Sequence, residues 1–437
     1  MKDVYHAPGA KVGTAVLCFF IIFQGSCAHR VTFLDGSGAK RRPRGRIGRY
    51  ASTTVGTIFV DPEHLGSHGY SNGQLEKTGI VYTCKAGHID IAHVRKTADW
   101  TAFLAANTLE QLKRNETEFS FKFKEPSRYF VQLTYPEFWQ DMPEAERDRT
   151  ARDLAIRLGQ YFAYTGATWH EILTWFGYRS TGVYPEFPSA FSWEDSFSDL
   201  LGIHISAEAI RDVEHEYDEA VTLALNRKLE ELDIQPRSTA IRASEKVRGV
   251  WFSGDFLFLV DMKARNFDIG LDDGFVTPWL VPSLAECEGA RPWSYPVPGL
   301  DFLSEYGFSV KFEIEPKELQ KGKILNIVHP DRKERKERIE PAVHFAAIMD
   351  YIKEDAVKRH GYDVYPGRII SQVQSQPGSQ QPHKERPPGD EGDTSSSIEG
   401  IVDDLNNDNV VDFRDVLVLV DAWLAQSVPP TEKIKQR

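Results

Sequence analysis

Residues 82–100 read Tyr82-Thr-Cys-Lys-Ala-Gly-His88-Ile-Asp90-Ile-Ala-His93-Val-Arg95-Lys-Thr-Ala-Asp99-Trp100. This stretch holds a thiol, two imidazoles, two carboxylates and a guanidinium. The residues before Cys84 have strand character, Gly87 favours a turn, and the apolar spacing from Ile89 to about Asn115 predicts a helix. A junction of this kind directs several polar side chains to one place, so we expect the large domain to be organised around it.

The patterns on either side of this stretch alternate between short strands and long helices. A helix that begins at Pro143 and ends before Gly177 is apolar on nearly every face in its second half, as expected of a buried helix. Together the patterns predict a single α+β domain over residues 51–368. The predicted strands cover residues 53–60, 79–84, 119–123, 129–133, 250–260 and 307–315, and the remaining predicted helices cover residues 192–202, 207–232 and 341–361.

The composition restricts the classes of molecule that the protein can bind. The chain has 437 residues, of which 41% are hydrophobic and 12% aromatic, enough for at least one large core. Its formal charge of −12 argues against a nucleic-acid partner, because phosphate binding needs clustered excess Lys and Arg. A basic run at residues 40–46 belongs to a Gly-rich segment, residues 29–50, which we predict to be a poorly ordered lead-in.

The first 28 residues have the pattern of an export signal. Lys2 and Lys11 precede an apolar run over residues 12–23, which is too short for a permanent membrane span. Cleavage after Ala28 fits the small residues there. Alternatively, Cys27 becomes a lipid-anchored N-terminus. Both routes predict an extracytoplasmic protein, secreted or periplasmic, and no later segment is apolar enough to cross a membrane.

Two cysteines remain after such cleavage, Cys84 and Cys287. Outside the cytoplasm they can form one disulfide, and the alternative is two separate buried thiols. A further alternative makes Cys84 a nucleophile near a helix start, with His88 or His93 as its base. A bridge between the two cysteines would exclude that chemistry.

A calcium-binding loop is predicted near the C-terminus. Residues 369–400 are rich in Gln, Pro, Ser, Gly and acids, which indicates a disordered linker. A short segment, residues 401–427, follows and precedes a charged tail, residues 428–437. Oxygen ligands stand in this segment at the spacing that wraps a calcium ion, unless the loop binds nothing. The ligands are Asp404, Asn406, Asp408, Val410 through its carbonyl, Asp412 and Asp415.

This loop, with the apolar helix face after it, resembles a type I dockerin repeat, which is an EF-hand-like calcium module. The resemblance implies that Asp412 acts through water and that the other ligands bind Ca²⁺ directly. It also implies attachment to a cohesin-like or cell-surface partner. Asn409 stands where the family has Gly, and one repeat is visible where cohesin-binding dockerins carry two.

The large domain resembles an uncharacterised family of bacterial exported proteins over residues 45–368. The residues that carry the resemblance are Gly87 to Asp99, Trp169-His170-Glu171, and Phe191-Ser192-Trp-Glu194-Asp195. The resemblance implies an extracytoplasmic location but no activity, so the chemistry must be argued from the side chains.

A metallohydrolase hypothesis follows from four of these residues. His88 and His93 lie about 140° apart on a helix, so they do not chelate one metal from one face. Asp90 shares a face with His93 and can orient it as a base or a ligand. His170 and Glu171 would supply further groups around a divalent metal ion. The candidate catalytic residues are therefore His93, Asp90, His170 and Glu171.

The alternative is a buried His–Asp–Arg network that holds helices together, with Arg95 and Asp99 as an intrahelical pair on the helix surface or within that network. The domain is then either a hydrolase of a cell-envelope or extracellular polymer, or a non-catalytic binding or structural module. An open cleft around the candidate residues favours the hydrolase. The same groups sealed in the core and mutually hydrogen-bonded favour the module.

Overall fold

The computed structural model describes residues 32–53, 57–71, 75–179, 186–254, 260–331, 333 and 335–361. The chain divides into two compact units, Met1–Gln376 and Pro377–Arg437, and every described residue belongs to the first. The predicted signal peptide, linker and calcium loop lie outside the described residues and stay predictions.

The stretch 82–100 folds as a β-hairpin that leads into a helix. Strand β1 (Ile80–Thr83) pairs antiparallel with β2 (Gly87–Asp90), and Gly87 sits in the left-handed region at φ +67°. Asp90 then caps helix α1 (Ile91–Lys113) through its side chain. The helix begins later than predicted, because residues 87–90 are taken by strand pairing.

The other helices surround α1. They are α2 (Glu144–Trp175), α3 (Asp195–Arg211), α4 (Tyr217–Glu231), α5 (Arg237–Val247), α6 (Lys321–Val328) and α7 (Pro341–Asp355). Helices α2 and α3 both pack on α1. The approach of α3 depends on Gly202, because a Cβ there would lie 2.1 Å from the carbonyl oxygen of Val94 in α1. In the described residues no helix is both long and apolar enough to span a bilayer.

Short antiparallel sheets complete the fold. The remaining strands are β3 (Glu118–Phe121), β4 (Arg128–Thr134), β5 (Ile234–Gln235), β6 (Phe252–Ser253), β7 (Asp261–Met262), β8 (Phe275–Val276), β9 (Tyr295–Pro296) and β10 (Ser309–Glu315). One sheet has the order β2–β1–β5 and another the order β10–β4–β3, while β6–β7 and β8–β9 form two-stranded ribbons.

The predicted α+β class is confirmed. The hairpin of β3 and β4, the helix that follows Pro143, the strand ending at Glu315 and the helix that begins at Pro341 are also as predicted. The predicted strand at residues 53–60 is not a strand in its described part, where Phe59 forms an isolated bridge with Ile80.

The predicted boundaries of α3 and α4 are wrong. The predicted helices over residues 192–202 and 207–232 imply a break after Gly202, but α3 continues without one to Arg211. The chain breaks later, where the side chain of Asp212 accepts hydrogen bonds from the N–H groups of Glu214 and His215. His215, which lies within the predicted helix over residues 207–232, therefore falls in this break.

Cys84 and Cys287, which are 203 residues apart in the sequence, form a disulfide. The bridge ties the loop after β8 to the end of β1. It excludes Cys84 as a nucleophile, because the sulfur is not available as a thiolate. His88, the first base considered for that chemistry, is buried, and burial lowers its pKa to about 4 despite a hydrogen bond to the carbonyl of Ala240.

Candidate functional site

Two helix N-termini meet beside β2, and acidic residues stand at both. Asp90 is the N-cap of α1 and accepts the N–H of Ala92 at 2.7 Å, while Glu194 is the N-cap position of α3. Ser198 joins the two ends, since its Oγ accepts the N–H of Asp90 at 2.9 Å and donates to the carbonyl of Glu194 at 2.6 Å. The positive ends of both helix dipoles therefore face one acidic group of side chains.

Helix α2 supplies the facing wall from its last turns. Glu171 is buried there, and its Oε2 accepts the N–H of Phe191 at 2.7 Å. The neighbouring His170 is turned to another partner, with its Nδ1 2.8 Å from Oε1 of Glu125. The structure thus places Glu171 with the helix N-termini and pairs His170 with an acid that sequence analysis missed. We call Asp90, His93, Glu171, Glu194 and Asp195 the polar site.

His93 lies at the centre of the polar site. Its Nδ1 is 3.0 Å from Oδ1 of Asp195 and 3.4 Å from Oδ2 of Asp90. Burial lowers the pKa of His93, and so does the nearby ammonium of Lys96, but the carboxylates of Asp195, Asp199 and Asp90 outweigh both and raise the pKa to about 10. The imidazole is therefore a cation at neutral pH.

Burial raises the pKa values of three carboxyls in the polar site, those of Asp90, Glu171 and Glu194. Burial and the nearby charge of Asp195 raise the pKa of Glu171 to about 7, although His170 and His93 act in the opposite direction. Burial and the charge of Asp195 raise the pKa of Glu194 well above its ordinary value of 4.5. Glu194 is 1% exposed, and its Oε2 has no hydrogen-bond partner in the described part of the chain. The polar site therefore holds a proton that a neutral solution can remove or restore.

A cation on the next turn of α1 extends the site. Lys96 lies with its Nζ 3.3 Å from Oδ1 of Asp199, and its charge reaches Glu171 and Asp195 as well. Sequence analysis missed Lys96, Asp199, and the role of Glu194 and Asp195. The available signals were the spacing of Lys96 three residues after His93 and the two acids at positions 194 and 195, to which the sequence reading gave no role in the site.

Arg95 and Asp99 belong to a different network on another face of α1. They are not paired with each other. Oδ2 of Asp99 accepts from Arg46 at 2.6 Å, its Oδ1 lies 2.7 Å from Nε2 of His68, and Arg95 lies 3.7 Å from Glu76. We call these five residues the paired network. The predicted intrahelical pair is therefore wrong, and the predicted buried His–Asp–Arg network exists with His68 in place of His93.

The paired network differs from the polar site in its charge balance. Both acids in it contact a guanidinium, and the contacts with Arg46 help to hold the pKa of Glu76 at about 2 against the effect of burial, which raises it. In the polar site, Glu171 and Glu194 each accept only a backbone N–H in the described structure. The first arrangement is typical of a structural network, and the second of a site with chemistry.

The fit of a divalent metal can be judged from the side chains themselves. Within the described ranges, no group of three or more His, Cys, Asp or Glu side chains is arranged to hold a metal ion. A metal ligated by His93 would have to displace the proton that the imidazole holds at neutral pH. The residues do not fit a metal as they stand, and we derive no step through one. The calcium ligands from Asp404 to Asp415 lie outside the described residues.

Comparison with known proteins gives one match. Residues 54–258 match the model of a family described as a protein of unknown function, DUF4056. This range contains α1 to α5 and therefore the whole polar site. The match supports the resemblance to an uncharacterised family. Neither the curated proteins nor the solved structures compared with the chain gave a match.

Proposed function

We propose that the large domain is a hydrolase that uses general acid–base catalysis on a polymer of the cell envelope or the extracellular space. The observation that carries the proposal is the buried Glu171, with a pKa of about 7, beside the imidazolium of His93, with a pKa of about 10. Two neighbouring groups with separated pKa values are the usual basis for assigning a base and an acid.

The chemistry follows from these protonation states. Glu171 as the carboxylate takes a proton from the attacking water, and His93 gives its proton to the leaving atom of the polymer bond. Transfer of the proton from Glu171 to His93 then restores the site, so that one water is consumed for each bond broken. Asp90 and Asp195 hold the imidazolium in place and stabilise its charge.

The extracytoplasmic location rests on a second set of observations. The Cys84–Cys287 disulfide supports it, because such bridges persist in oxidising compartments and are rare in the cytosol. The predicted export signal at residues 1–28 agrees with this. We further propose that the dockerin-like repeat, residues 401–427, binds Ca²⁺ and attaches the domain to a cohesin-like or cell-surface partner.

The burial of the site favours a second candidate function. The carboxyl groups of Asp90, Glu171 and Asp195 are nearly inaccessible, and the side chain of His93 is only 13% exposed. Such closure suits a non-catalytic binding or structural module. The carboxyls of Glu171 and Glu194, which pair with no cation in the described structure, argue for the hydrolase. In the paired network, by contrast, each acid contacts a guanidinium.

The test is release of soluble fragments from insoluble envelope polymer and from extracellular polysaccharide. We expect the wild-type protein to release fragments, and Glu171→Gln and His93→Gln to lose at least about a hundredfold in rate, as for removal of a general acid or base. His215→Gln is the matched control, since His215 pairs with Asp212 in the break after α3. Full activity in Glu171→Gln would overturn the proposal.

The metal version of the hypothesis needs a separate measurement. Metal analysis of the purified protein, with and without His93→Ala, decides it. One bound transition metal that disappears in the variant would support the metallohydrolase hypothesis and would replace the acid–base assignment above.

A further inference from the structure

The polar site is covered by a short segment of the chain itself. Residues 46–51, which we call the strap, cross the site between two anchors. At one end, the buried side chain of Arg46 contacts Glu76 at 2.7 Å and Asp99 at 2.6 Å. At the other end, Ala51 is fully buried and its carbonyl accepts from Oγ of Ser244 at 3.0 Å. Both ends of the strap are therefore fixed to the domain.

Between the anchors, the strap touches His93 through a glycine. A Cβ added to Gly48 would lie 2.3 Å from Nε2 and 2.5 Å from Cε1 of His93. Real Cβ atoms do not approach so closely, so the backbone at position 48 rests on the imidazole ring without room for a side chain. The residue before Gly48, Ile47, is 65% exposed and therefore faces the solvent.

The acids of the polar site bind the main chain of the strap. The N–H of Arg49 donates to Oδ2 of Asp90, and the N–H of Ala51 donates to Oε1 of Glu194 at 2.7 Å. The chain turns at Ala51, where the N–H of Ser52 donates to the carbonyl of Tyr50 at 2.8 Å. Two acids of the polar site therefore bind main-chain N–H groups on either side of Tyr50, which is how side chains recognise a polypeptide backbone without reading its side chains.

We propose that the polar site is a binding site for a polypeptide main chain with glycine opposite His93, and that the strap occupies this site within the same chain. The spare oxygen of Glu194, 1% exposed and without a hydrogen-bond partner in the described residues, carries the proton of this carboxyl and provides a donor for an incoming peptide carbonyl. The assignment of the substrate as a glycine-containing peptide of the envelope polymer rests on the proposed function. The binding of a glycine-containing peptide to the polar site is tested independently.

The strap has an advantage over any peptide added from outside. A segment tethered at both ends acts at an effective concentration on the order of millimolar or more. A free peptide is therefore expected to bind weakly to the wild-type protein and well only when the strap is displaced. The displacing change should act at the contact with His93 and leave both anchors intact.

Gly48→Ala is that change, and Gly45→Ala is its matched control. The new Cβ at position 48 collides with the ring of His93, whereas a Cβ at position 45 meets nothing within 4 Å. The probe is a fluorescein-labelled peptide with the sequence of residues 46–52, Arg-Ile-Gly-Arg-Tyr-Ala-Ser, and the readout is fluorescence polarisation with the full chain. Hydrogen exchange of the strap amides shows whether the strap has been released.

We expect Gly48→Ala to bind the peptide at least tenfold more tightly than the wild type or Gly45→Ala, with faster exchange at the amides of Arg49 and Ala51. A peptide with alanine in place of its glycine should fail to compete. Equal binding of both peptides, or no binding by a released strap variant, would overturn the inference. If Gly48→Ala does not fold, Ser244→Ala loosens the second anchor and takes its place.

The two proposals fail in different ways. Peptide binding without release of fragments from any polymer would remove the hydrolase and leave the binding site. Release of fragments without peptide binding would leave the hydrolase and remove a peptide as its substrate.

Discussion

Replacement of Glu171 by glutamine should stabilise the protein, and the gain should grow with pH. Glutamine keeps the shape of the side chain and an oxygen that can accept the N–H of Phe191, but it carries no charge. The pKa of Glu171 is about 7 in the folded protein, raised chiefly by burial, against an ordinary value of 4.5. A carboxyl of this kind binds its proton more tightly in the folded state, so the wild type loses stability as the pH rises through this window.

The magnitude follows from the size of the pKa change. A change from 4.5 to about 7 corresponds to about 3 kcal/mol once the group is ionised in both states. Most of this free energy is lost between pH 5 and pH 8. We therefore expect Glu171→Gln to differ from the wild type by less than about 1 kcal/mol at pH 5 and to be more stable by about 3 kcal/mol at pH 8.

The same substitution at Glu76 provides the control, because the pKa of Glu76 is lowered whereas that of Glu171 is raised. Burial raises the pKa of Glu76, but the guanidiniums of Arg46 and Arg95 hold it at about 2. A lowered pKa contributes stability that is fully present above the ordinary value of 4.5 and is lost as the pH falls through about 2. Glu76→Gln should therefore cost about 3 kcal/mol at both pH 5 and pH 8.

Urea unfolding of the oxidised protein at the two pH values measures these differences. The reasoning is refuted if Glu171→Gln destabilises the protein at pH 8 as Glu76→Gln does. Glu171 would then be an ionised, well-compensated carboxylate, and its assignment as a base with a pKa near neutrality would fall with it. A gain in stability together with a loss of activity is the pattern expected of a catalytic residue.

Three other predictions concern the rest of the chain. Calcium titrated into the full chain should release heat and increase the helix signal if residues 404–415 form the loop, and a flat titration would contradict the attachment role. Reduction of Cys84–Cys287 should lower the free energy of unfolding by about 2–5 kcal/mol in urea, and no change would mean that the loop is held by its other contacts. Gly202→Ala should lower the melting temperature and cost about 3 kcal/mol, because its Cβ meets backbone. Gly322→Ala in α6, with nothing within 4 Å of the new Cβ, should be neutral or stabilising by up to about 1 kcal/mol, and equal effects would contradict the helix contact.

The elements that the sequence predicts well are those with local signals. The β3–β4 hairpin alternates aromatic and polar residues, and α2 is preceded by Pro143 and followed by Gly177 at φ +97°. Each of these signals lies within or next to its own element. The two-residue strand β8 has no local signal, because its pairing with β9, where Phe275 lies opposite Pro296, defines it.

Tertiary contacts explain the errors in α3. Gly202 is a helix breaker by propensity, at a cost of about 1 kcal/mol relative to alanine, but here it permits the close contact with α1. Ser206, just before the predicted helix start at residue 207, is buried and shares a hydrogen bond of 3.1 Å with the hydroxyl of Tyr217 in the next helix. Both residues make contacts between helices, and the spacing of apolar residues within one helix does not reveal such contacts.

The candidate site was predictable only in part, for the same reason. The pairing of Asp90 with His93 follows from their spacing on one helix, and both do lie together. The contribution of α3 depends on how two helix N-termini meet. The strap was expected to be a poorly ordered lead-in because of its basic residues, yet the side chain of Arg46 is 1% exposed between two carboxylates. Charge patterning alone does not distinguish a solvated arginine from a buried, paired one.

The polar site and the paired network, both on α1, differ in the groups that balance the charge of their acids. This difference supports the proposed function. In the paired network the compensation is permanent, since guanidiniums remain charged at any relevant pH. In the polar site it comes from helix N-termini, backbone N–H groups of the strap, the imidazolium of His93 and the ammonium of Lys96 beside Asp199. In the described structure neither cation forms an ion pair with Glu171, so that carboxyl exchanges its proton near neutral pH. If a chain that replaces the strap carries a scissile bond, the same exchangeable proton is available for its hydrolysis, and the compensation that now closes the site becomes the means of binding the substrate.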